Sequence, residues 1–497
     1  MIVHLKFNFQ KKIIGLLLCI AISSTEVLAQ QFQFTDNCQK AYKAYMSMRN
    51  AEGRAYLLKE LRVNKNNFMP IVLFNYDDFI SLTFNEDPKE YKLRKPQFDK
   101  RLKLIESADA NSPYYLFSKG LLYFQWSAIQ IKYADYWNAA WDFRRAFLIF
   151  KENKKKYPDF AYNNIFIGAQ EAVISTIPNG YKWISKIFGM KGNMKNGMGL
   201  LYSFIRSKQP YFNEEAFLYF IYLKNYLEND VEGAYSLIKD NHLDTKNNQL
   251  FAFMEANLSL NNKNAKNAET VLLNRNTSND YIPFPMLDYE MGDAKLRKLD
   301  YSAVQYYERF IKNSKGNFYL KDACYSIALC YYLMGNQNMA LQYKQKAKIF
   351  GKTESDADKQ ALKNANKPGF PNKDLLKVRL LNDGGYNESA LEILQGLKNL
   401  NKEETLEYYY RLARVYDDLN LDDKAIENYL KTISLGSSST EYFAARAALQ
   451  TAYIYEKRNN ISSALKYYND VLKMEGHEYK NSLDQRAKSG INRINGN

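Results

Sequence analysis

Beyond its first 30 residues the chain carries two histidines, His242 and His477, and three cysteines, Cys38, Cys324 and Cys330. Zinc chemistry needs such residues close together, as in a His-Glu-x-x-His helix or a Cys-x-x-Cys pair, and neither pattern is present. Acyl transfer would call for a Gly-x-Ser-x-Gly elbow, and nucleotide chemistry for a Walker loop or a Gly-x-Gly-x-x-Gly turn; all three are missing. Asn382-Asp383-Gly384-Gly385 has the small and acidic residues of a calcium loop. It lacks the alternating acidic ladder and the closing Glu, so it reads as a turn between helices. The pairs Glu403-Glu404 and Asp422-Asp423 read as solvated faces or as charges at helix starts. An odd number of cysteines cannot all pair, and Cys324 and Cys330, six apart on one predicted helix, face different ways. They read as buried small hydrophobes. No cofactor, metal or catalytic activity is expected.

Composition narrows the partner instead. The 497 residues are 46% hydrophobic and 25% charged, which is a globular balance, with 41 tyrosines and 29 phenylalanines. Lys6, Lys11 and Lys12, the apolar run Ile13 to Ser23 and the small-residue site Val27-Leu28-Ala29 read as an export signal spanning residues 1–29. Leu18 before Cys19 is too bulky for a lipoprotein signal, so cleavage after Ala29 is expected. No later run reaches the ~18 apolar residues that span a bilayer. The mature chain should therefore be exported, soluble and periplasmic or envelope-associated. Net charge is +15, and +13 once Lys6, Lys11, Lys12 and Glu26 leave, which favours acidic partners or anionic membrane surfaces. Export argues against nucleic acid, and no nucleic-acid-binding pattern appears.

The elements that would position a binding face are helices. Phe34 to Leu61 reads as one long helix, followed by Ile71 to Leu82, Pro96 to Ala108, Tyr114 to Tyr133 behind a Ser112-Pro113 start, Ala134 to Lys156, and Tyr162 to Ile177. Gly189, Gly192, Gly197 and Gly199 then interrupt the pattern, and helical periodicity resumes at Leu200. From there one alanine recurs, at Ala234, Ala268, Ala303, Ala340, Ala390, Ala425 and Ala464, in steps of 34, 35, 37, 50, 35 and 39. Small partners stand twelve residues earlier at Ala256, Ala328, Ala413 and Ala452. Tyr222, Met291 and Val378 break that rule, the second unless Gly292 takes its place with a turn one residue shorter, and Lys344 stands where an aromatic is expected. The step of 50 holds an insertion, Gly351 to Lys373, with a loop at Asn366 to Pro371.

This period resembles the tetratricopeptide repeat, whose helix pairs stack into a solenoid. The resemblance implies an all-α fold: an N-terminal helical region over 30–215, with an irregular hairpin, and a repeat array over 216–497. A second likeness rests on Ile167-Gly168, Ile177-Pro178, Trp183-Ile184, Gly189-Met190-Lys191-Gly192 and Gly197 with Leu200-Leu201. Their order resembles the central segment of the eukaryotic outer-membrane and lipid-droplet-clearance family of long tetratricopeptide proteins, which implies no catalytic residues. The export signal departs from that family.

Tetratricopeptide stacks usually bind along the face of their first helices, and counting within the two clearest repeats puts Tyr410, Arg414, Asp417, Tyr453 and Lys457 there. Their mixture of groups suits an extended peptide of an envelope protein, so the leading expectation is a non-enzymatic scaffold. The alternative is a peripheral membrane or lipid-handling protein. It rests on Lys182, Lys186, Lys191 and Lys195 around Trp183, a basic and aromatic stretch of the kind that lies in a membrane interface.

Overall fold

The computed structural model describes residues 31–176, 189–228 and 230–495. The export signal and most of the Lys182–Trp183–Lys186 stretch lie outside these residues. Among the described residues the protein is an all-α helical-repeat solenoid with 24 helices and no strand. None of these helices is long and apolar enough to cross a membrane. The chain divides into two compact units, Met1–Leu223 with Ser278–Ile282, and Lys224–Thr277 with Pro283–Asn497.

In the first unit the helices are α1 (Asp36–Met46), α2 (Asn50–Val63), α3 (Met69–Asn85), α4 (Pro88–Ile105) and α5 (Pro113–Lys132). They continue as α6 (Tyr136–Lys156), α7 (Asn163–Ser175), α8 (Met194–Arg206) and α9 (Asn213–Tyr226), the last of which leads the chain into the second unit. Residues 215 and 216, where the repeat array was expected to begin, lie inside α9.

Phe34 to Leu61 is two helices, not one. Met48 takes a left-handed φ of 68° between them. The fold-back lays the Tyr45 ring on Gly53, where a Cβ would stand 2.7 Å from the ring. Pro96 lies inside α4 instead of starting a helix: Pro88 holds the first turn, and the Asp87 side chain accepts the Lys89 N–H at 2.9 Å. Helix α8 begins at Met194, six residues before the expected restart, and contains Gly197 and Gly199. Gly197 is there because α7 and α8 touch backbone to backbone. A Cβ at Gly197 would sit 2.5 Å from the Gly168 carbonyl, and one at Gly168 would sit 2.7 Å from that of Gly197.

The second unit is a succession of helix pairs. The chain passes through α10 (Val231–Asp240), then pairs α11 (Gln249–Asn261) with α12 (Ala265–Asn274) and α13 (Met286–Leu296) with α14 (Ala303–Asn313). Next come α15 (Leu320–Leu333) with α16 (Gln337–Ile349), then α17 (Asp356–Asn366), then α18 (Lys373–Gly384) with α19 (Asn387–Gly396). The pairs α20 (Lys402–Asp418) with α21 (Asp422–Gly436) and α22 (Phe443–Lys457) with α23 (Ile461–Lys473) follow, and α24 (Lys480–Ile494) closes the array.

All seven alanines of the recurring series are fully buried, as are Ala256, Ala328, Ala413 and Ala452. In the two clearest repeats an aromatic packs with them, Tyr429 with Ala413 and Ala425 and Tyr468 with Ala452 and Ala464. Leucine at Ala413 or Ala425 would overpack the first of these contacts. We expect each substitution to cost about 1–3 kcal/mol, read as a lowered melting temperature. Gly292 is indeed the small residue of its repeat, since a Cβ there would come within 2.8 Å of the Tyr307 ring.

The insertion is not only a loop. Its middle forms α17, and Asp358 on that helix is fully buried. The Asp358 carboxylate receives the N–H groups of Tyr319 at 2.7 Å, Lys321 at 2.9 Å and Asp322 at 3.2 Å, so it caps the start of α15. Lys344 replaces the expected aromatic because its stem packs like one while its amine caps the far end of α17. The amine donates to the Lys367 carbonyl at 2.8 Å and to that of Gly369, and lies over the Phe370 ring.

Candidate binding face of the second unit

The first helices of the pairs carry a row of ionisable side chains that changes sign along the array. On α13 and α15 the row is acidic. Glu290 is buried and accepts the Asn257 amide at 2.7 Å, and burial pushes its carboxyl up to about 8. Asp322 accepts the Tyr289 hydroxyl at 2.7 Å, and burial, helped by the Asp293 charge, pushes it up to about 7. Asp293 accepts the Tyr307 hydroxyl and pairs with Arg297 at 3.2 Å. Each of these three carboxyl groups therefore has a donor.

At one edge the turns of the first helices close on each other. Arg297, at the end of α13, donates to the Leu260 carbonyl at 2.8 Å. Lys263, in the turn after α11, pairs with Asp418 of α20 and reaches Asn382 of α18 at 3.3 Å. Burial, with Arg414 nearby, lowers the Lys263 ammonium below its ordinary range. Asn382-Asp383-Gly384 is not the expected turn but the last turn of α18, with Gly385 as its cap, and both glycines press on backbone: Gly384 on Arg297, Gly385 on Lys263.

On α20, α22 and α24 the row turns basic. Arg411 makes two bonds to Glu407, at 3.0 and 2.9 Å, and lies over the Tyr410 and Phe443 rings. Arg414 reaches Asp417 at 4.0 Å and Asp418 at 3.9 Å. Arg446 of α22 and Arg486 of α24 are half-buried and have neither ion pair nor side-chain hydrogen bond among the described residues. Both lie within electrostatic reach of Tyr453 and of each other. Burial first and Arg446 second lower the Arg486 guanidinium below its ordinary range.

Of the residues expected to bind a partner, Arg414, Asp417 and Tyr453 lie on this row, while two depart from the expectation. Tyr410 is 5% exposed, its ring against Tyr442 and Phe443 at 5.8 and 5.0 Å, so it is a core residue. Lys457 leans to the preceding repeat's turn, 3.6 Å from Asp422 and 3.4 Å from Asn420, away from Arg414. Asp417 also serves the core, accepting the Tyr429 hydroxyl at 2.8 Å. Counting missed Arg446 and Arg486. Arg446 stands seven residues before Tyr453, on the same helix face, which is a legible signal. Arg486 lies beyond the last repeat that the period reaches.

In the irregular stretch of the first unit, Lys191 and Lys195 are exposed, whereas Met190 between the glycines is buried against Phe147 and Ile174. Lys182, Trp183 and Lys186 lie outside the described residues. Cys38, Cys324 and Cys330 are buried free thiols, pushed by burial to about 11, 11 and 12. Among the described residues no cluster of three or more His, Cys, Asp or Glu is placed to hold a metal ion.

No family model matches the chain, and no curated protein matches it. Among solved structures it is similar to the APC/C hetero-tetramer Cut9–Hcn1, with 12% identity, 91% of this chain and 96% of that chain covered, and a TM-score of 0.26. It is also similar to a human IFIT1 dimer with m7Gppp-AAAA, with 13% identity, 95% and 87% covered, and a TM-score of 0.29. Likenesses of this size decide nothing about ligand, and the fold stands on the helix packing described above.

Proposed function

We propose that this chain is an exported, non-enzymatic scaffold that holds a protein partner along the first-helix row of its second unit. One observation carries the reading: Arg446 and Arg486, on two helices packed in one core cluster, both act on Tyr453 and have no ion pair or side-chain hydrogen bond among the described residues. Elsewhere on the row most charges are spent internally, as in the Glu290, Asp322 and Asp293 bonds, with Arg379 of α18 the further guanidinium that has no acceptor among the described residues. A half-buried guanidinium with no protein acceptor contributes little to folding, so its placement is best accounted for by a ligand. Export rests on Lys6, Lys11, Lys12 and the apolar run after them, and an envelope partner follows from it.

The test is affinity purification of the tagged chain from crosslinked cells, beside a variant with both arginines changed to glutamine. A partner that copurifies with the natural chain and is lost from a variant of unchanged melting temperature is the expected result. A partner profile identical in both would remove this row from function.

A further inference from the structure

We infer that Arg446, Tyr453 and Arg486 form an anion-binding pocket that takes carboxylate side chains from an acidic segment of a protein partner. This rests on the scaffold reading and adds the chemistry of what is bound. Arg446 and Tyr453 are seven residues apart on α22 and so share a face. Helix α24 lies directly against that helix, with Leu483 and Ala487 in one core cluster with Ala448, Leu449 and Ala452. Arg486 is adjacent in sequence to Ala487 of that contact and lies within electrostatic reach of the Tyr453 hydroxyl.

Two like charges within electrostatic reach repel, and no carboxylate among the described residues pairs with either one. Arg411, Arg414 and Arg493 each have a carboxylate: Glu407, Asp417 with Asp418, and Glu456. Arg379 of α18 is likewise half-buried without an ion pair or side-chain hydrogen bond among the described residues, and what sets Arg446 and Arg486 apart is that each lies within electrostatic reach of the other. A carboxylate between the guanidiniums would relieve the repulsion and accept from both planar forks, with the Tyr453 hydroxyl as a further donor.

Two features favour a protein carboxylate. The arginines are half-buried on neighbouring helices and both act on the Tyr453 hydroxyl, a surface that suits a side chain entering from an extended peptide. A nucleic-acid backbone or a bilayer would need a continuous basic stripe. Here Asp417, Asp418 and Glu456 interrupt the row on the neighbouring turns.

The test uses fluorescence anisotropy of the mature chain with a labelled peptide of eight glutamates, beside the same peptide with glutamines. The glutamate peptide is expected to bind at low salt and weaken as salt rises, with the glutamine peptide at least about tenfold weaker. R446Q/R486Q should weaken the glutamate peptide by at least about tenfold without changing the circular-dichroism melt, and R446K/R486K should recover part of the loss. Equal binding by natural chain and double glutamine variant would overturn the site. Stronger competition by inorganic phosphate, an oligoadenylate RNA or phosphatidylglycerol vesicles than by free glutamate peptide would overturn the carboxylate assignment. If cellular partners are captured through this row while the glutamate peptide fails to bind, the acidic-segment inference falls and the scaffold reading survives.

Discussion

Replacing Gly385 by alanine should lower the unfolding free energy by about 2–5 kcal/mol, among the largest single effects expected in the second unit. Two costs act together. Gly385 sits at φ 84°, a left-handed conformation that costs an L-residue about 1–2 kcal/mol. The new methyl would also lie 2.0 Å from the Lys263 carbonyl oxygen, closer than any contact distance, and the obstacle is backbone that cannot rotate away. Overpacking against fixed structure costs about 1–3 kcal/mol more. The damage should spread, because Lys263 also holds Asp418 of α20. Gly335 is the control: it has the same φ of 84° but nothing within 4 Å of an added methyl, so its alanine variant should lose only the conformational part. Urea unfolding of the two variants checks this, and equal losses at both positions would show that the contact between the turns after α11 and α18 does not exist in solution.

The second large effect is on pH dependence. Glu215 is fully buried in the first unit, where it accepts the hydroxyls of Tyr76 and, at 2.6 Å, Tyr219, while its own N–H donates to the Tyr42 hydroxyl at 3.3 Å. Burial raises its carboxyl from 4.5 to about 7. Between those values the folded chain holds a proton that the unfolded chain has released. Stability from this group is therefore full below about 4.5, falls as pH rises, and levels off above about 7. At about 1.4 kcal/mol per unit the loss is on the order of 3 kcal/mol. Glutamine keeps the shape, can accept from a tyrosine and has no proton to lose. Glu215→Gln should thus be the more stable protein at pH 8 by up to about that amount, and should lose its advantage near pH 5. Urea midpoints from pH 5 to 8 test it, and parallel profiles for variant and natural chain would contradict a buried, protonated Glu215. Glu290 and Asp322 add the same sign of dependence in the second unit.

Much of the array was legible in the sequence because close helix crossing admits few residues. Ala234 through Ala464 declare themselves at any period near 34, since only a small side chain fits where the backbones meet. The exceptions are places where another arrangement meets the same need. Gly292 serves in place of Met291 by leaving room for the Tyr307 ring, and Lys344 stands for an aromatic because the end of α17 and the loop after it offer carbonyls to its amine. Helix α17 itself was hidden, as its reason for existing is a long-range one: Asp358 caps α15, 37 residues earlier at Lys321. Gly197 likewise read as a helix breaker, although the Gly168 backbone packed against it requires a glycine there. The binding row was partly legible. Periodicity locates a face, but it cannot tell Tyr410, turned into the core by Tyr442 and Phe443, from Tyr453, which stays beside unpaired arginines.

Which face of the second unit holds a partner is tested most directly by site-specific photocrosslinking in cells. A benzophenone amino acid would be placed at Tyr453 on α22 and, separately, at Lys431, an exposed residue of the second helix α21. Binding along the first-helix row should give a discrete crosslinked partner from position 453, abolished by R446Q/R486Q, and none from position 431. Crosslinks of equal yield from both positions, or from 431 alone, would contradict a scaffold that works through this row.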